Sequence, residues 1–130
     1  MRIIHQNAFC KCQNLKKVVL NEGLEILGTD ECTPDGRPWY GVFQDSALES
    51  IELPSTLRRI EYNAFQSCKR LKSITLPDKL EYVGECCFWR GRLQKVRIPS
   101  AGVEAGEDAF SGYLMHRDFV VRDGRIFQKR

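Results

Sequence analysis

Apolar residues return along this chain in one fixed order. Leu48, Ile51, Leu53, Leu57 and Ile60 are followed by Ala64-Phe65 and Cys68, with Pro54 directly after Leu53. All but the last of these recur 23 residues later, as Leu71, Ile74, Leu76, Pro77, Leu80, Val83 and Cys87-Phe88. A third copy runs from Leu93 through Val96, Ile98 and Pro99 to Ala109-Phe110. It begins one residue early, loses its apolar match at Gly102 and keeps only a weak one at Ala105. Upstream, Leu15, Val18, Leu20, Leu24 and Leu27 hold the same spacing. Ile4, Ala8-Phe9, Cys12 and Leu15 precede Ile60, Ala64-Phe65, Cys68 and Leu71 by 56 residues. In Leu-x-x-Ile-x-Leu-Pro, the Ile and Leu two apart point to one side of a short strand. Pro lacks a donor and ends it. The Leu-x-x-Ile stretch then returns across the core, and Ala-Phe plugs the far wall. One such unit cannot bury its apolar face alone, whereas stacked copies bury a continuous one. The pattern predicts a single repeat domain over residues 1–130, with repeats over about 3–112.

Two departures from the pattern carry information. Gly28 and Phe43 are fifteen residues apart where Gly84 and Phe88 are four apart, so about 29–42 is an insertion. It contains Pro34-Asp35-Gly36, a turn signal, because Pro presets one dihedral and Gly supplies positive φ. Arg37, Trp39 and Tyr40 follow. Trp, Tyr and Arg dominate binding hot spots, which makes these three candidate contact residues. The alternative is that both rings fold back to cover a flank of the solenoid. The second departure is Asp123-Gly124 between the apolar runs 118–122 and 125–127. That pair predicts a hairpin with a primed turn over about 118–128, closing the last apolar layer. At the other end Ile3 and Ile4 begin partway through a repeat, which leaves a strand edge open; self-association through that edge and a chain cut from a longer repeat array are the two explanations.

The copy from Leu48 to Leu71 resembles the BspA-like leucine-rich repeat almost position for position, departing at Glu61 where the family has Gly. The resemblance implies an α/β-type leucine-rich repeat solenoid with short parallel strands on one side, few or no regular helices and a C-terminal β-hairpin cap. It also implies a binding rather than a catalytic role, of the kind found in adhesive surface modules, with protein or glycan partners. A structural spacer within a longer surface array is the alternative. By this resemblance the location is the cell surface or outside the cell. No secretory signal is legible at the start of the chain, where Met1-Arg-Ile-Ile-His-Gln-Asn turns polar too soon.

Charge adds a second candidate surface. The residues flanking each inward Ile or Val are Lys17 and Val19, Ser50 and Glu52, Ser73 and Thr75, Lys95 and Arg97. Lys95 and Arg97 are therefore candidate contacts on the strand face, although such columns are commonly just solvated. The net charge of +3 conceals an asymmetry: residues 89–130 carry nine basic and five acidic side chains. A basic flank attracts acidic polymers such as sulfated glycans. No nucleic-acid motif accompanies it, so nucleic acid is not an expected partner. No stretch approaches the length of a membrane span, and no membrane insertion is expected.

Six cysteines first suggest a metal or disulfide framework. The repeat assigns Cys12 and Cys68 to one slot two coils apart, roughly 10 Å at ordinary strand spacing and too far for a disulfide. Cys87 takes the place of the buried Ala. The Cys10-Lys-Cys12 and Cys86-Cys87 pairs lack zinc-site spacing, and the set fits reduced thiols. The two histidines, His5 and His116, lie in no catalytic motif, and His5 falls in the slot of Glu61, taken as exposed. No glycine-rich phosphate loop is present. The sequence points to a chain without cofactor, metal or enzymatic activity.

Overall fold

The computed structural model describes residues 2–4, 8–28, 34–35, 40–110, 119–123 and 125–128. Its strands are short: β1 (Arg2–Ile4), β2 (Lys17–Val19), β3 (Leu24–Leu27), β4 (Ser50–Glu52), β5 (Arg59–Ile60), β6 (Ser73–Thr75), β7 (Tyr82–Val83), β8 (Lys95–Arg97), β9 (Val103–Ala105), β10 (Phe119–Arg122) and β11 (Arg125–Gln128). No helix occurs among the described residues. Each coil places one strand on either side of the core. β4, β6 and β8 arise from Leu-x-x-Ile-x-Leu-Pro stretches and alternate exposed, buried, exposed about Ile51, Ile74 and Val96, while β2 comes from the same pattern with Asn21 in place of Pro. β2 pairs in parallel with β4, and β6 with β8.

The returning Leu-x-x-Ile segments make the larger sheet. Its order is β1-β3-β5-β7-β9-β11-β10, parallel as far as β9 and antiparallel through the hairpin. The short parallel strands and the closing hairpin are those the resemblance implied, with parallel pairing present on both sides of the core. The Ile and Val of the return stretch meet their counterparts in register, Leu27 with Ile60 and Ile60 with Val83. Glycine at the following position allows this close stacking. A Cβ on Gly84 would lie 2.4 Å from the Tyr62 nitrogen.

Between the two sides runs a continuous core of Leu, Ile, Val and Phe. Phe9, Phe43, Phe65, Phe88 and Phe110 stack face to face with centroids 5.2–5.5 Å apart. Phe119 from the hairpin closes this column edge-on at 5.3 Å. The third copy's weak match has a physical reason here. At Gly102, the slot held by Leu57 and Leu80 in earlier copies, φ is +77° and a Cβ would lie 2.6 Å from the Phe127 ring. The missing leucine leaves room for the cap. Gln128 completes the closure by accepting a hydrogen bond from the Ile98 nitrogen at 2.9 Å.

Glu61 corrects one expectation. Its slot is buried, with the residue 6% exposed, rather than open to water. Arg59 Nε donates to its carboxylate at 2.7 Å, and the guanidinium lies 4.4 Å from the Tyr82 ring centroid. A buried carboxylate in a glycine slot is tolerated because a cation from its own strand reaches it.

Candidate functional site

The turn after each Ala-Phe is a tightly specified element. Lys11, Asp45, Ser67 and Arg90 each stand two residues beyond a column Phe, and all have φ near +60°. Their side chains therefore recur at equivalent places on successive coils. The backbone beneath them is fixed by a ladder: Lys11 N–H donates to the Gln44 carbonyl at 2.8 Å, Asp45 to Gln66 at 3.0 Å, and Ser67 to Trp89 at 2.8 Å. The Phe nitrogens continue it, Phe43 donating to Ala64 and Phe65 to Cys87. Left-handed backbone is unfavourable for Lys, Ser and Arg, so the hydrogen-bonded stack holds a conformation these residues would not choose alone.

On this side lies a cleft of about 590 Å³. Lys11, Gln13, Asp45, Ser67, Lys69 and Arg70 line it, and Ala47 supplies apolar wall. The Gln13 amide donates to the Asp45 backbone carbonyl, joining the first and second coils across its floor. Arg70 also reaches Glu49, at 4.0 Å with both side chains more than half exposed. At such exposure the pair holds neither partner firmly.

Among the sequence candidates, Tyr40 is the insertion residue that the structure describes. It is 52% exposed, and the Lys11 ammonium sits 5.2 Å from its ring centroid. Lys11 thus belongs to both the cleft and the aromatic contact. Arg37 and Trp39 lie outside the described residues, as do Cys32, His5 and His116. Lys95 and Arg97 flank buried Val96 on β8, both exposed, on the strand side. The strand column otherwise presents small polar groups and Val19, itself 56% exposed. The candidates accordingly divide between two surfaces rather than meeting at one.

Sequence reasoning missed the cleft cations and Trp89. The latter is exposed, with the Arg90 guanidinium 4.4 Å from its ring centroid. The signal was present. Trp89-Arg90 and Cys10-Lys11 occupy the two positions after a column Phe, and the repeat alignment places such positions on one ridge.

The thiols behave as packing. Cys68 Sγ donates to the Phe43 carbonyl at 3.0 Å, and burial pushes its pKa up to about 11. Cys87 is fully enclosed, and desolvation raises its pKa well above the ordinary value. Cys12, in the outermost described coil, is half-buried. Cys10, Cys12, Cys68, Cys86 and Cys87 are all free thiols. Among the described residues, no three His, Cys, Asp or Glu side chains converge as a metal site would require.

Compared with known families, the chain matches the BspA type leucine rich repeat region in six copies, over residues 1–31 and 40–123. It belongs to the BspA-type leucine-rich repeat family. The gap between the matched ranges falls within the 29–42 insertion, so the stretch bearing Arg37 and Trp39 is foreign to the repeat. A search of curated proteins found no match. The family is one often involved in surface binding or adhesion.

Proposed function

We propose that this repeat protein is a non-catalytic binding module of adhesin type that contacts a protein or an acidic glycan through its turn side, beside the insertion. The observation that carries the reading is Tyr40, an exposed ring in contact with the Lys11 cation at the edge of a polar cleft. Exposed aromatic and cationic groups on a rigid backbone suit recognition, because little conformational freedom is lost on binding. Arg37 and Trp39 belong to the same proposed site through their place in the insertion. Lys95 and Arg97, both on β8, belong to the competing reading of recognition on the strand side and are not part of the turn-side site.

The test compares wild type with Tyr40→Ala for binding to a panel of extracellular-matrix proteins and acidic polysaccharides, after circular dichroism has shown equal folding. A loss of about tenfold or more is expected for the variant, the scale of a hot-spot aromatic. Equal binding by both proteins would remove Tyr40 from the site. No binding by either would favour a spacer within a surface array.

A further inference from the structure

We infer that the turn-side cleft binds an acidic polysaccharide, laid along the solenoid axis across the three coils that carry Phe9, Phe43 and Phe65. This rests on the turn side being the binding surface and names the ligand class it takes.

The lining argues for sugar over protein. Lys11, Lys69 and Arg70 supply cations, Gln13 an amide and Ser67 a hydroxyl, while Ala47 is the one apolar residue and the aliphatic stems of the long side chains supply the rest of the apolar surface. A protein hot spot wants a desolvated pocket for a large apolar side chain, and an alanine wall provides none. A chain of hydroxyl-bearing rings with periodic carboxylate or sulfate groups meets donors and cations at each step. The volume of about 590 Å³ suits a few sugar rings.

Asp45 sharpens the assignment. Its carboxylate stands among the cleft cations, where a site for a bare polyanion would have no use for it. A carboxylate is acceptor-only and accepts from two donors at once. Paired sugar hydroxyls are such donors.

Periodicity supports the same ligand. Column Phe rings step 5.3–5.5 Å from coil to coil over this region, close to the length of one sugar ring in an extended polysaccharide. Lys11, Asp45 and Ser67 occupy one repeat position on successive coils, each fixed in a left-handed conformation. One sugar per coil would thus meet cation, carboxylate and hydroxyl in turn, from a surface already ordered before binding. Tyr40 adds a ring face beside the first step, with Lys11 on it to meet an acidic substituent.

The experiment measures binding of the purified chain to heparin-type sulfated polysaccharide, polygalacturonate, neutral dextran and inorganic polyphosphate at several salt concentrations. Lys69→Ala/Arg70→Ala, Asp45→Asn and, as the control on the other side, Lys95→Ala/Arg97→Ala are compared after their urea midpoints are matched to wild type. The expected result is binding to an acidic polysaccharide that weakens with salt and not to dextran. Lys69→Ala/Arg70→Ala should weaken it about tenfold, the scale of losing two exposed charge contacts. The strand-side control should be unchanged. Asp45→Asn should weaken polysaccharide binding while strengthening polyphosphate binding. The inference is overturned if no acidic polysaccharide binds, if the strand-side variant loses as much as the cleft variant, or if Asp45→Asn strengthens every polyanion alike. Binding of a matrix protein through Tyr40 without polysaccharide binding would sink the glycan assignment and leave the binding-module reading standing.

Discussion

Single residues in this protein are constrained less by their own preference than by the coil above or below. Cys68 shows it. Its thiol packs against the preceding coil, donates to the Phe43 carbonyl and lies 3.7 Å from Ser46 Oγ. Desolvation keeps it protonated up to about pH 11, against an ordinary value of 9.0. A pKa raised in the folded state contributes stability that is whole below the unfolded value and drains away as pH rises through the folded one. Stability to urea should therefore fall between pH 9.0 and about 11, and Cys68→Ala should shallow that fall. Cys87 and Tyr82, raised by burial as well, act in the same direction, so the variant removes only part of the slope. A slope unchanged in Cys68→Ala would contradict the assignment. The buried slot of Cys68 was readable from the repeat, because the family places a small residue there. The burial of Glu61 was not. Its carboxylate is enclosed with help from Arg59 two residues away and Tyr82 on the next coil, a pairing that no alignment of one copy on another reveals.

At the scale of elements, strand positions and the cap were legible because each has a local cause. Alternation about Ile51, Ile74 and Val96 sets the strands, and Asp123, at φ +51°, makes the turn of the predicted hairpin. Arg122 and Arg125 pair across that turn. That the return segments would align into the larger sheet was not legible, since it depends on coils meeting in register over a distance no single repeat encodes. The hairpin also explains why Gly102 breaks the pattern. Replacing it with Leu would restore the consensus residue and would ordinarily be expected to stabilise a repeat protein. Here Gly102→Leu should destabilise by about 1–3 kcal/mol, through the collision with Phe127 and the positive φ that leucine resists. Urea denaturation checks this. A more stable variant would mean that Phe127 does not occupy the slot.

Across the whole molecule, the two ends differ. The hairpin end closes its aromatic column with Phe119. At the other end Ile3 and Phe9 are 37% and 36% exposed, and β1 and β2 are each paired on one side only among the described residues. The sequence holds the ridge of positions after each column Phe, but its closure into a cleft was not legible, because the lining comes from three coils and converges only once the left-handed turns are stacked.

Recognition on the turn side has a direct consequence for backbone protection. Hydrogen–deuterium exchange of the chain with and without its bound partner, whether sulfated polysaccharide or a matrix protein from the binding panel, tests it most directly. New protection is predicted in segments 8–14, 40–48 and 62–71, with β8 unchanged. Protection confined to 93–99, or to the β2 and β4 strands, would place recognition on the opposite side and contradict it.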